Sequence, residues 1–249
     1  MRYYSSMDRL RLFLWLVPFF ATACAMSEPA APEILLFNGR GTSPNDVAAL
    51  ESILRARHSS YSTASSERLG AMSDAELKAY RLVIIPGGNF EEIGNALTAD
   101  TTASLRNAVR GGLSYLGICA GAFFAGASPY NGLNLTSGVR FPFYALEDQG
   151  IRKAAVAITT ADTRPLEVYW EDGPQLTGWG EVVAKYPDHT AAVVQGSFGG
   201  GWVVLTGVHA EAPESWRRDL AFTTPVAPSH AYAARLIDAA LHRTPLPGH

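Results

Sequence analysis

The residues best suited to chemistry are one cysteine and one histidine–glutamate pair. Cys119 stands in Gly117-Ile-Cys-Ala-Gly121, where an apolar run stops and small residues begin. G-x-C-x-G at a strand-to-helix turn has the form of a nucleophile elbow, which lifts the side chain above the sheet edge while small neighbours let the backbone bend. A helix start also favours a thiolate, because exposed N–H groups stabilise negative charge. The N–H of Ala120 can serve an oxyanion hole, and Gly87 or Gly88 can add a second N–H without side-chain obstruction. A thiolate also needs a proton carrier. Trp202-Val-Val-Leu-Thr-Gly-Val-His-Ala-Glu211 ends a strand and continues as H-x-E. His209 can accept and return the proton while Glu211 fixes its tautomer. Both follow a strand's carboxyl end, where open α/β sheets place their sites.

Each of these has a plainer use. A lone cysteine is often a small buried hydrophobe, and a histidine past a strand is often structural. Their coincidence with Pro86-Gly-Gly88 favours the chemical reading. Ser43 and Trp170 are further candidates for substrate contact. Ser43 is equally a helix cap, and Trp170 with Glu171 and Asp172 is equally a strand and its turn. Arg40 and Thr42 are placed to meet an anion, and Glu91 either supports the elbow or faces solvent. His58, His189, His230, His242 and His249 have no partners at informative spacing. No ligand spacing along the chain points to a metal, and no cofactor is expected.

The elements that must position these residues alternate. Ile34–Asn38 reads as a buried strand, followed by a helix that starts at Pro44 with Ser43 as its cap. Tyr61–Ala64 is a second strand, and Ser73 with Glu76 forms a capping box. Leu82–Gly88 is the clearest strand, being continuously apolar as central parallel strands are. A helix over Thr98–Val109, a strand over Leu113–Ile118 and a helix over Ala120–Ala127 follow. The second half reads as strands at Val156–Thr159, Glu167–Trp170, Val182–Tyr186, Ala191–Gln195 and Trp202–Thr206, closed by a helix over Ala231–Leu241. The fold class is therefore α/β: a flavodoxin-like three-layer sandwich with a mostly parallel central sheet and a more antiparallel second half.

The amino end has the three parts of a secretory signal: Arg2, Arg9 and Arg11, a short apolar core interrupted by Pro18, and Ala21-Thr22-Ala23. Residues 1–23 are read as a signal peptide, 24–33 as linker, 34–243 as the domain and 244–249 as a loose tail. Two endings are open: release after Ala23, or a lipobox in which Cys24 is acylated, the second being preferred. The expected location is outside the cytoplasm, as a periplasmic or membrane-anchored lipoprotein of a bacterium. Lipid chains on Cys24 would be the membrane contact. A formal net charge of −3 gives no basic footprint for nucleic acid.

Pro86-Gly-Gly88, Tyr115-Leu-Gly-Ile-Cys-Ala-Gly-Ala122 and His209-Ala-Glu211 together resemble the class I glutamine amidotransferase superfamily. Within it, they are most similar to the N-terminal domain of eukaryotic biotin–protein ligases and its stand-alone bacterial forms. Asn38-Gly-Arg-Gly-Thr-Ser43, Val168-Tyr-Trp-Glu-Asp-Gly173 and Gly201–His209 extend the resemblance along the chain. It implies Cys119 as nucleophile, His209 as base, Glu211 as its orienter, and Gly88 and Ala120 as oxyanion donors. Ala210 departs from the family's usual proline between the histidine and glutamate. No biotin ligase half and no biotin-binding loop are expected in this chain, so ligase activity is not inferred.

Three functions compete. The first is an exported cysteine hydrolase or amidase acting on a small-molecule or peptide-like carboxamide. The second is a binding or redox-sensing module with little turnover on the same fold. The third is an α/β-hydrolase with cysteine for serine, in which Asp188 would orient His209.

Overall fold

The computed structural model describes Met1 and residues 32–161 and 165–249. The signal peptide and Cys24 expected from the sequence lie outside the described residues. Residues 31–249 form one compact unit.

Four segments fold as the parallel strands β1 (Ile34–Phe37), β2 (Tyr61–Ala64), β3 (Leu82–Ile85) and β4 (Ser114–Ile118). The helices between them are α1 (Pro44–Ala56), α2 (Ser66–Ala71), α3 (Asp74–Lys78), α4 (Phe90–Asn95) and α5 (Ala99–Arg110). The short α6 (Ala120–Ala125) follows Cys119. Strands β5 (Lys153–Thr160), β6 (Pro165–Glu171), β7 (Glu181–Lys185), β8 (Ala191–Phe198) and β9 (Gly201–Thr206) precede α7 (Ala227–His242).

Among the described residues the strands form one nine-stranded sheet in the order β2-β1-β3-β4-β9-β8-β7-β5-β6. Pairing is parallel from β2 through β9 and antiparallel from β9 to β6. That is the flavodoxin-like sandwich expected, with its more antiparallel second half.

Side-chain alternation explains the layers. Ile34 and Leu36 join one core with Leu50 and Leu54 of α1 and Leu236 and Ile237 of α7. Leu35 and Phe37 point the other way, into a second core with Leu69, Leu105 and Phe124. Strand β4 splits likewise, with Leu116 and Ile118 on one side and Tyr115 on the other. A strand covered on both faces is mostly apolar, and β1 and β3 have no polar position at all.

Local signals set most helix starts. Ser43 Oγ accepts from Asp46 N at 3.3 Å and begins α1. The Ser73 capping box forms in both directions. Helix α7 begins four residues earlier than expected, and α6 stops at Ala125 because Gly126 is extended. Helix α4 escaped sequence reading, since its N-cap Asn89 follows directly on the Pro-Gly-Gly turn.

One expectation is corrected: 244–249 is not loose. The Leu246 N–H donates to Gln195 Oε1 at 2.8 Å, and Gln195 Nε2 donates back to Leu246 O at 2.7 Å. Gln195 is fully buried on β8 and needs partners for both ends of its amide. The tail supplies them.

Candidate functional site

Strand β4 delivers Cys119 to the carboxyl end of the sheet, beside the end of β3. Cys119 sits at φ 48°, ψ −104°, a conformation that costs a non-glycine residue. Tight packing over-determines it. Cys119 N donates to Thr206 O at 2.8 Å, and Tyr115 Oη donates to Gly121 O at 2.7 Å. A Cβ at Gly117 would lie 2.6 Å from Gly121 O, so the glycine is required where the chain doubles back.

The elbow leaves two donors unused. Among the described residues no acceptor meets the N–H of Ala120 or of Gly88. Gly88, at φ 140°, is held by the bridge in which Ser43 N donates to Gly87 O at 2.9 Å and Asn89 N donates to Gly41 O at 2.7 Å. A side chain at Gly88 would collide with Gly41 O. Gly88, Ala120 and Cys119 line one cleft of about 200 Å³, with Phe90, Phe123 and Phe143 as its apolar wall and Glu91, Arg152 and Asp172 as its charged groups.

His209 follows β9 and is 4% exposed. Its backbone N–H donates to Tyr169 O at 2.8 Å, tying the loop to β6 although β6 ends the sheet's pairing order. Its ring lies edge-on to Tyr169 and Trp216, with centroids 5.9 and 6.0 Å away. Glu211 Oε1 is 2.8 Å from His209 Nδ1. The fold thus brings together the pair that H-x-E spacing suggested. Glu211 is itself 2% exposed.

Asp46 was missed by sequence reading. It lies in the first turn of α1, is 5% exposed, and places Oδ1 3.0 Å from His209 Nδ1. Glu211 Oε1 and Asp46 Oδ1 thus face the same ring nitrogen, at 2.8 and 3.0 Å. Burial opposes the charged form of His209, but Glu211 first and Asp46 next outweigh it, with a smaller pull from Cys119. The net result holds the imidazole pKa well above 6.5. Asp46 is pushed up by burial and pulled down further by His209, so its carboxyl lies below 3.8. Asp46, His209 and Glu211 also set one metal-ligating atom each within 4.8 Å of one another. Spacing along the chain could not show this trio, because Asp46 comes from a distant helix.

Cys119 Sγ donates to Glu171 O at 3.4 Å and, among the described residues, makes no hydrogen bond to His209. The remaining candidates separate. Trp170 is fully buried, packs edge-on to Tyr144 at 5.8 Å and donates from Nε1 to Gly173 O. It belongs to the core and lines neither the Cys119 cleft nor the polar cavity beside Ser43. Gly87 faces Asp46 and His209 rather than the cleft. Ser43 caps α1 and also borders a polar cavity of about 430 Å³ on the His209 side, with Asp46, Tyr169, Glu171 and Trp216. The carboxylates that meet His209 are Glu211 and Asp46, while Asp188 Oδ1 accepts from Thr190, so Asp188 does not orient the ring as an α/β-hydrolase arrangement would require.

Residues 32–130 match the family model described as biotin-protein ligase, N terminal. A biotin–protein ligase of Schizosaccharomyces pombe is 26% identical over 159 residues, covering 52% of this chain and 25% of that protein. The chain therefore spans about a quarter of the curated relative it matches. Among solved structures, PurLQS from Thermotoga maritima aligns with a TM-score of 0.53 and 15% identity, over 82% of this chain and 99% of that one. A putative GMP synthase component from Thermoplasma acidophilum gives 0.51 and 12%, over 85% and 99%. The exo-β-1,4-mannosidase Op5Man5 from an Opitutaceae bacterium gives 0.55 and 17%, over 82% of this chain and 36% of that one. At these identities the structures speak to the fold alone, which this chain shares with PurLQS and the GMP synthase component.

Proposed function

We infer that this chain, whose residues 32–130 match the biotin–protein ligase N-terminal family on a glutamine amidotransferase-like fold, is a cysteine-dependent hydrolase or amidase. The observation that carries this reading is the strained backbone of Cys119 at φ 48°, in one cleft with Gly88 and Ala120, whose N–H groups meet no acceptor among the described residues. Strain of that kind persists where geometry serves function.

The reaction begins when Cys119 Sγ leaves Glu171 O and attacks a carboxamide carbon. The carbonyl oxygen becomes an oxyanion that accepts hydrogen bonds from the Gly88 and Ala120 N–H groups. As the attack begins the thiol hands its proton to neutral His209, and Glu211 and Asp46 stabilise the imidazolium so formed. It passes that proton to the departing nitrogen as the C–N bond breaks, leaving a thioester. Water then attacks the thioester, His209 takes a proton from it, and the acid and the thiol are released. No biotin ligation is proposed. An exported setting, with Cys24 as a lipid anchor, rests on the amino-terminal sequence pattern alone.

The test is the pH dependence of Cys119 alkylation by iodoacetamide, in the parent protein and in His209→Ala. The expected result is ready alkylation at pH 6 that slows about tenfold or more in the variant. Equal rates in both proteins would remove His209 from the chemistry.

One observation favours a second reading. The buried thiol is already satisfied by Glu171 O, as suits a binding or redox-sensing module with little turnover. Such a module would form a reversible sulfenic acid under peroxide and release no product from carboxamides.

A further inference from the structure

The cleft at Cys119 does not end at its aromatic wall. Phe90, Phe123 and Phe143 also line a second cavity of about 440 Å³ that extends to Ser128, Arg140 and Pro142. The rings form a continuous surface. Phe90 stacks on Phe123 with centroids 4.6 Å apart, and Phe143 tilts against Phe123 at 4.8 Å. Phe143 is nevertheless 39% exposed, one of few large apolar side chains so placed among the described residues. An aromatic face left open beside a reactive group is a surface that a ligand ring can cover.

The charges give the cavity a polarity. Arg140 is exposed at the far side and, among the described residues, no carboxylate or carbonyl engages its guanidinium. At the thiol end, Arg152 is occupied by Asp172 at 2.7 Å and by Glu147 at 3.1 Å. Glu91, also at that end, forms no ion pair among the described residues. A ligand carboxylate is therefore repelled at the Cys119 end and attracted at the Arg140 end, where a fork of N–H donors can take it in two hydrogen bonds.

We propose that this second cavity is a subsite for an aromatic amino-acid residue with a free carboxylate, its ring on Phe90 and Phe143 and its carboxylate on Arg140. The substrate class that follows, carboxamides attached to a carboxy-terminal aromatic residue, rests on Cys119 being the nucleophile. The subsite itself does not.

Three labels test it on the full chain: N-iodoacetyl-phenylalanine, its neutral amide and N-iodoacetyl-glycine. Cys119 alkylation is followed by intact mass, and each rate is divided by the same label's rate with glutathione. The phenylalanine label is expected to lead the glycine label by about tenfold and its own amide by about fivefold, with saturation. Arg140→Gln removes the second preference and Phe143→Ala reduces the first. Both side chains are exposed, so neither replacement opens the core. Equal normalised rates for the three labels, or preferences unchanged in both variants, would overturn the subsite. Slow alkylation by every label and indifference to His209→Ala would instead overturn the nucleophile, while the ratios among labels still decide the subsite.

Discussion

Asp46 Oδ1 lies 3.0 Å from His209 Nδ1, with both side chains buried and Glu211 on the same nitrogen. An imidazole facing two carboxylates is stabilised as imidazolium, and the effect on folding has two limbs. The contribution from His209 is complete below 6.5 and is lost as pH rises through its elevated folded pKa. The contribution from Asp46 is complete above 3.8 and is lost as pH falls through its depressed folded pKa. Urea midpoints should therefore be highest between those limits and decline on both sides. In Asp46→Asn both declines should shrink, and the ring of His209, followed by NMR, should titrate at lower pH than in the parent. An unchanged His209 titration would show that Asp46 does not act on the ring.

Gly87 is the spacer that lets this pair meet. A Cβ placed there would run into Asp46 Oδ1 and lie 2.6 Å from His209 Cε1. Its φ is ordinary, so the objection to a side chain is contact alone. Gly87→Ala is expected to cost about 1–3 kcal/mol, the usual penalty for overpacking, and to slow Cys119 alkylation at pH 6 as His209 is displaced. A variant with parental stability and parental alkylation would mean that the pocket gives way freely.

The parts legible in the sequence were those whose cause is local. The elbow is written in Gly117 and Gly121 around Cys119, H-x-E in His209 and Glu211, and β1 and β3 in runs that no polar residue interrupts. Asp46 was hidden because nothing near it on α1 marks it; its role arises only when the first turn of α1 meets His209, in the loop after β9. Trp170 misled for the reverse reason. It sits in a strand that ends at the cleft, but alternation turns its side chain into the core while Glu171 O faces Cys119. The tail was misread because its Pro and Gly content describes a flexible peptide, whereas a buried amide on β8 holds it.

Cys119 offers a direct measure of stored strain. At φ 48° and ψ −104° a Cβ is unfavourable whatever its substituents. Cys119→Ala retains that penalty and Cys119→Gly relieves it, while both lose the sulfur. Glycine is therefore expected to be the more stable of the two by about 1 kcal/mol or more, opposite to the usual order at ordinary backbone angles. Thermal or urea unfolding of the pair reads the difference directly. Alanine as the more stable variant would remove the strain and, with it, the main support for a functional elbow.

The tail predicts a loss of stability from a cut far from Cys119. Ending the chain at Arg243 takes away Leu246 N and O, the partners of Gln195 Oε1 and Nε2. Glu181 Oε2, 2.9 Å from Gln195 Nε2, remains for one end of the amide. The other end, Oε1, is left buried without a donor, at a cost of about 1–3 kcal/mol. The cut also uncovers Leu246's contact with the core that α7 and β8 share. A lowered urea midpoint is expected, with alkylation of Cys119 by iodoacetamide unchanged under native conditions. Gln195→Leu in the shortened chain should recover part of the loss, because the polar group that needs a partner is then gone. If the shortened chain unfolds at the parental midpoint, these hydrogen bonds contribute nothing and the last six residues are a tail in the ordinary sense.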